Sequence, residues 1–238
     1  MKQLKHIFLN DLSSSIIHDQ HHTNPIIISI AGNIAVGKST FAKQLQNDLQ
    51  QRMLNKSIDL VCTDNFLYSN TKLKKMNNFD HKGFPDSYDQ NLIENFIESI
   101  NNGNAIDIPM YDHHVNDISN QQMVVYQPDI LIIEGLISLQ HPLCDMATTK
   151  IFLDADSRDV FQWYAVRCHQ SMPLETTERF NTKIMQAWQC VDVPNYQKFV
   201  VPTRKNADMV LSMNRRHELI NINYQHSYEE VELNAVYN

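Results

Sequence analysis

The chain has 238 residues, enough for one domain with a sizeable core. Its 42% hydrophobic and 20% charged residues are those of an ordinary globular protein rather than a disordered one. A net charge of −7 speaks against the basic face a nucleic-acid partner needs, and no apolar run reaches the roughly 18 residues of a membrane span.

The first segment, 1–24, is mixed and polar, with a helix expected around Ile7–Ile17. A first strand, Pro25–Ile30, is followed by Gly32-Asn33-Ile34-Ala35-Val36-Gly37-Lys38-Ser39-Thr40 and then a helix from Lys38 to Met53, with Phe41, Leu45 and Leu49 spaced for one face. Ile58–Cys62 reads as the second strand, and Leu67–Asp86 as loop with a short helix. Ser87 or Asp89 is placed to cap a helix that stops at Asn101-Asn102-Gly103. A short strand at Ala105–Met110 comes next. Gln127-Pro128-Asp129 then turns the chain into Ile130–Glu134, apolar as a strand covered on both faces should be. Ile151–Asp154 is a further strand, and Asp156 or Ser157 caps a helix to Cys168. A helix over Glu175–Gln189 and a last core strand, Met209–Met213, complete the pattern; Tyr228–Val236 fits helix and strand equally.

The stretch Gly32–Ser39 fits G-x-x-x-x-G-K-[ST] in the context that motif requires, a buried strand opening through a glycine-rich loop into a helix. Backbone N–H groups and the helix N-terminus then cradle phosphates, Lys38 reaches the β- and γ-phosphates, and the Ser39 hydroxyl sits on Mg²⁺. Alternating strands and helices give an α/β, P-loop NTPase-type three-layer fold with a mostly parallel sheet, expected here as a single domain over 1–238. Ligands in such sheets lie at the carboxyl ends of the strands. Those ends carry the phosphate loop, Asp64, Glu134 and Asp154. ATP-dependent transfer to a hydroxyl needs a base, for which Asp64 is placed, and an acidic group on Mg²⁺ or water, for which Glu134 is placed. Asp154 reads as a helix cap, and Arg167 is a candidate clamp on phosphoryl oxygens.

The four cysteines, Cys62, Cys144, Cys168 and Cys190, show no C-x-x-C spacing, which fits a reduced, cytoplasmic chain. Met1–Leu12 has neither the apolar stretch nor the cleavage site of a signal peptide. His18, His21 and His22 read as part of a solvated segment rather than a zinc site.

Several blocks resemble bacterial type I pantothenate kinases, within the phosphoribulokinase and uridine kinase group of P-loop kinases. They are Ala35–Thr40, Thr63-Asp64-Asn65-Phe66-Leu67, Lys82-Gly83-Phe84-Pro85-Asp86-Ser87-Tyr88-Asp89, Pro109-Met110-Tyr111-Asp112-His113, Gln127–Leu136, Trp163-Tyr164 and Val201-Pro202-Thr203-Arg204. The resemblance spans about Ile26 to His217. It implies a homodimeric kinase that transfers phosphate from ATP to the terminal hydroxyl of pantothenate, on the way to coenzyme A. It also implies that Lys38 and Ser39 serve phosphate and Mg²⁺ and that Asp64 is the base. Tyr111, His113, Tyr164 and Arg167 would line the pantothenate and γ-phosphate region, and His217 would lie near the adenine. Lys43 aligns with a residue tied to feedback by coenzyme A. This chain is shorter before its first strand than the family. Other departures fall mostly on the acceptor side. Asn65 stands for a Gly, Asp112 for a Ser, Ile137 for an Asn and Phe199 for a substrate-holding Asn, while Asn195 matches. An aromatic-rich cover is replaced by the polar Cys168–Arg179, so 168–182 is read as the segment over the substrate. The resemblance therefore leaves open another acceptor, such as a nucleoside or sugar, or a regulatory protein that binds nucleotide without catalysis.

Overall fold

Strand β1 (Ile26–Gly32) is buried along its whole length, as is β5 (Ile130–Glu134). Runs of Ile and Leu with no polar alternation have only one stable place, the middle of a sheet covered on both sides. In the computed structural model, which describes residues 2–18, 25–171 and 176–225, they hold that place. The six-stranded sheet runs β2-β5-β1-β6-β7-β8, where β2 is Ile58–Cys62, β6 Thr149–Ala155, β7 Met209–Met213 and β8 Leu219–Tyr224. All neighbours are parallel except β7 and β8. The register sets Cys62, Glu134 and Ile30 in one row across β2, β5 and β1. The residues that follow them therefore emerge at one edge.

Alternate residues of the strands feed two faces. On one, Ile28, Ile30, Ile130, Ile132, Ile151 and Leu153 pack with Phe41, Leu45 and Leu49 of α2 (Lys38–Arg52). Helix α1 (Lys2–His18) adds Phe8, Leu12 and Ile16 to this layer, and its Phe8 ring stacks on Phe41. On the other face Ile27, Leu131, Ile133 and Val61 pack with Phe66, Ile93, Phe96 and Ile108. Burying each such side chain contributes roughly 1.5–3 kcal/mol before entropy is counted. After the short α3 (Asn70–Lys75), helix α4 (Gln90–Asn101) supplies Ile93, Phe96 and Ile100 here; Asp89 caps it through Leu92 N, and Gly103 at φ +66° follows its end. Of the two caps expected for α4, Asp89 serves, while the Ser87 hydroxyl donates to Phe84 O instead.

The structure adds two elements to the expected set. The strand expected at 105–110 forms as β3 (Ile106–Asp112) and folds back on a new strand, β4 (Asp117–Val125), as an antiparallel hairpin apart from the main sheet. The polar run of β4, Asp-Ile-Ser-Asn-Gln-Gln, hides it, because a ribbon with one open face has no long apolar signature. Strand β8 extends the sheet beyond Met213 and is antiparallel. A helix predicted to end at Gln189 does not end there. Helix α6 (Thr177–Ala187) runs on through two π-helical turns, 188–192 and 196–200, on either side of α7 (Val193–Asn195), and finishes as a 3₁₀ turn at Asn206. Pro194, which has no N–H to donate, lies in α7 between those turns. The expectation for Tyr228–Val236 lies outside the described residues, as do 172–175 within the expected covering segment.

Asp154 does not cap the next helix, α5 (Ser157–Ser171). Asp156 accepts the Arg158 N–H at that end, and Asp154 instead pairs with Arg204 at 3.0 Å.

Candidate active site

The phosphate loop is shaped by contacts a larger residue would break. Gly32 lies at φ +142°, and a Cβ there would run into the Leu153 carbonyl of the neighbouring strand. Gly37, at φ +102°, ends the loop and begins α2, and Phe41 N–H bonds its carbonyl. Ala35 takes a left-handed φ of +58°, the kind of turn from which an anion-binding nest is built, and the Val36 N–H that follows it bonds Asn33 O at 3.4 Å. The Asn33 side chain accepts the Ile34 N–H at 2.8 Å, and Val36 is buried as the loop's anchor. The loop tip, Ile34 and Ala35, packs against Tyr164, Phe180 and Ile184 of α5 and α6.

Lys38 starts α2, with its ammonium 2.8 Å from Asn33 O and 3.1 Å from Gly32 O. Burial pushes it below the ordinary lysine value, while the charges of Glu134 and Asp64 pull it back up. Ser39 donates to Glu134 Oε1 at 2.8 Å. Glu134 is 3% exposed, so a buried carboxylate and an adjacent hydroxyl face the loop. Behind it, Gly135 (φ +148°) fits against Thr63 so closely that a Cβ would overlap the Thr63 hydroxyl. Asp64 lies in the 3₁₀ turn Thr63–Phe66, and its charge reaches Lys38, Tyr111 and Tyr88. Arg167, exposed on α5, comes from the far side and acts on Lys38, Tyr111 and Asp192. Lys38, Ser39, Asp64, Glu134 and Arg167, separated in sequence, are thus brought to one edge. Thr40 is exposed in the first turn of α2.

His217 lies over the other side of the loop. It adopts φ +55°, stacks on Trp163 with ring centroids 3.7 Å apart, and places Nε2 3.3 Å from Ala35 O. Trp163 is held in turn by its indole N–H to Arg215 O.

The acceptor side is built on the β3–β4 hairpin. Asn65 locks it to the turn carrying Asp64, since its Oδ1 accepts the Tyr111 N–H at 2.9 Å. The Tyr111 hydroxyl donates to Asn116, its ring meets His113 edge-on at 5.0 Å, and the Lys82 ammonium lies 4.9 Å over it. Burial, then the charge of Asp64, raises the Tyr111 phenol well above its usual range. Asn195 is buried, donates to Gly83 O at 2.9 Å and leaves its Oδ1 without a partner among the described residues. Phe199 meets Phe84 edge-on at 5.6 Å, and Ile137 is buried in the core. Tyr164 is also buried, and its hydroxyl is engaged by Asp192 and Cys168.

Asp192, Asn65, Lys82 and Asn116 were not assigned roles from the sequence. Asn65 and Lys82 stand inside quoted motifs, where a partner across the fold cannot be read. Asp192 sits in Asp-Val-Pro-Asn with no spacing signal, yet burial lifts its carboxyl to about 6, against the opposing pull of Tyr164 and Arg167.

The Phosphoribulokinase / Uridine kinase family matches residues 27–219. Among curated relatives, a pantothenate kinase of Lactococcus lactis subsp. cremoris (strain SK11) is 35% identical over 218 residues, covering 83% of this chain and 71% of its own. Another, from Enterococcus faecalis (strain ATCC 700802 / V583), is 32% identical over 245 residues, covering 91% and 80%. The fold is similar to that of D-glycerate 3-kinase from Cryptococcus neoformans var. grubii, with a TM-score of 0.67 at 15% identity over 94% of this chain and 99% of that one. A match across most of the length, joined to a phosphate loop in the context such a loop requires, places this chain in the phosphoribulokinase / uridine kinase family.

Proposed function

We propose that this protein transfers the γ-phosphoryl group of ATP to the terminal hydroxyl of pantothenate. The observation that carries the reading is the meeting of Lys38, Asp64, Glu134 and Arg167 at one sheet edge, in a chain about one-third identical to pantothenate kinases over most of its length.

The loop residues Gly32, Asn33, Ala35, Val36 and Gly37 present backbone N–H groups to phosphate oxygens, with Lys38 beside the β–γ bridge. Ser39 and Glu134 offer neighbouring oxygens, a donor set that suits a hard cation, so these residues would hold Mg²⁺. When bound there, Mg²⁺ neutralises charge on the transferring phosphate. Asp64 accepts the hydroxyl proton as the acceptor oxygen attacks. Arg167 meets the phosphoryl oxygens from across the cleft, and its fork of donors suits them. Tyr111 and His113, held by the hairpin, face the acceptor, and Tyr164 acts through Asp192. His217 on Trp163 gives a flat aromatic surface for the adenine.

A second reading, a different acceptor such as a nucleoside or sugar, is favoured by Phe199. Where the resembled family holds substrate with an Asn, an apolar ring packs on Phe84. A pocket that loses a hydrogen-bonding anchor discriminates less sharply. A regulatory role without catalysis is disfavoured by the complete set of Lys38, Ser39, Asp64, Glu134 and Arg167. The unpaired state of all four cysteines supports a cytoplasmic setting. Among the described residues no helix is long and apolar enough to cross a membrane. We read the chain as one domain that forms a homodimer.

The test is ADP release from Mg·ATP with and without pantothenate. Strong stimulation by pantothenate supports the reading; stimulation only by nucleosides or sugars moves it to the second acceptor class. Asp64→Asn should lower kcat by about 10²–10⁴ while ATP still binds. Unchanged turnover in that variant removes Asp64 as the base.

A further inference from the structure

The end of β2 carries donors that phosphoryl transfer does not use together. Cys62 Sγ, a carboxylate oxygen of Asp64 and an imidazole nitrogen of His113 all lie within 4.8 Å of one another. Cys62 is the last residue of β2, Asp64 follows in the 3₁₀ turn, and His113 comes just after β3. The Asn65–Tyr111 bond ties those two segments, so their closeness is built into the fold.

One thiol, one imidazole and one carboxylate form a borderline-soft set. It suits Zn²⁺ and is poorly matched to Mg²⁺, which takes oxygens. With bonds of about 2.0 Å to N and O and 2.3 Å to S, tetrahedral ligands stand roughly 3.3–3.7 Å apart. The cluster exceeds that spacing by at most about 1–1.5 Å, and His113, whose side chain is exposed, can close it by rotation. Coordination removes the thiol proton outright.

We propose that Zn²⁺ binds Cys62, Asp64 and His113 and thereby switches the enzyme off. A metal-bound Asp64 carboxylate cannot take the acceptor's proton, and a metal-bound His113 is drawn away from the acceptor. The inhibitory consequence rests on the role given to Asp64 above; the metal site itself does not.

The test uses Co²⁺ as a visible stand-in, titrated into the purified full chain. The wild type should show a thiolate-to-cobalt charge-transfer band together with the intense visible bands of a tetrahedral site. Cys62→Ser should lose the charge-transfer band and weaken Zn²⁺ binding by more than the roughly 100-fold upper range for losing an outer-shell partner. Its basal turnover should be unchanged, and Zn²⁺ inhibition under excess Mg·ATP should disappear. His113→Ala, altered at an exposed side chain, should keep the sulfur band but need higher cobalt to reach it. This second variant decides the matter if Cys62→Ser does not fold. The proposal is overturned if the wild type gives no thiolate band, or if Zn²⁺ inhibits Cys62→Ser as strongly as wild type. The latter result would mean that zinc acts where Mg²⁺ belongs. A thiolate band in protein that turns over no acceptor supports the metal site and counts against the kinase reading.

Discussion

A methyl group added at Gly135 would overlap the Thr63 hydroxyl, and the backbone there, at φ +148°, is one that L side chains rarely adopt. Both penalties fall between the turn that carries Asp64 and the strand end that carries Glu134. Overpacking of this kind costs about 1–3 kcal/mol or more, and a left-handed strain adds to it. Gly135→Ala should therefore lower the melting temperature and cut kcat more than it raises KM, because it moves two acidic groups relative to each other. Thr63 is fully buried and the polar group facing its hydroxyl is that of Tyr88, so Thr63→Ala removes the obstacle at the cost of that one contact. The double variant should recover part of the loss, leaving the backbone strain. Strict additivity in that double-mutant cycle would show that the two residues do not meet as described. The phosphate loop was legible residue by residue because its chemistry is local. The Gly135–Thr63 contact was not, because it joins positions 72 apart in sequence.

The long helix after α6 brings Asp192, Asn195 and Phe199 to the acceptor side on turns wider than an α-helix gives. Asp192 shows the consequence. Burial holds its carboxyl at about 6, against 3.8 for an ordinary Asp, with the Tyr164 hydroxyl and Arg167 partly offsetting the shift. Between those two values the folded state binds the proton more tightly than the unfolded chain, so this group makes stability fall as pH rises through the window. The penalty is complete above pH 6 and absent below the unfolded value. Asp192→Asn should then melt at progressively higher temperature relative to wild type as pH goes from 4 to 6, and level off above. The shift sets a ceiling of about 3 kcal/mol, or several degrees for a chain of this size. A pH-independent difference in melting temperature would mean the carboxylate is not desolvated. The elements themselves divide by how they are covered. Strands β1, β2, β5, β6 and β7 were readable from apolar runs because helices cover both faces. The hairpin of β3 and β4 was half-read, since β4 has an open face and alternates polar residues. The π turns had no signal, because Pro194 predicts only an interruption and the chain instead continues as a wider helix.

At the scale of the molecule, α1 joins the N-terminal segment to the layer that supports the phosphate loop. Phe8, Leu12 and Ile16, spaced by four, are all buried against α2 and the sheet. Phe8 is 4% exposed and stacks on Phe41, one turn below Lys38. Lys5, His6 and Leu9 of the same helix form one wall of a cleft of about 690 Å³, with Arg216, His217 and Glu218 opposite and α2 at its base. This helix therefore has two separable jobs, filling the layer under α2 and walling the side of the loop where His217 lies. Truncating Phe8 tests the first. Phe8→Ala leaves a cavity beneath the start of α2 and should cost about 3–5 kcal/mol, which at roughly 2–4 °C per kcal/mol is a drop on the order of 10 °C in melting temperature. The removed ring belongs to the apolar layer with Phe41, Leu12 and Ile16 rather than to the set of Lys38, Asp64, Glu134 and Arg167, so kcat measured well below that transition should be unchanged. If kcat fell in proportion to stability, the layer under α2 would be setting the position of Lys38 as well as the strength of the fold. If the melting temperature did not move, α1 would not be seated on α2 in solution.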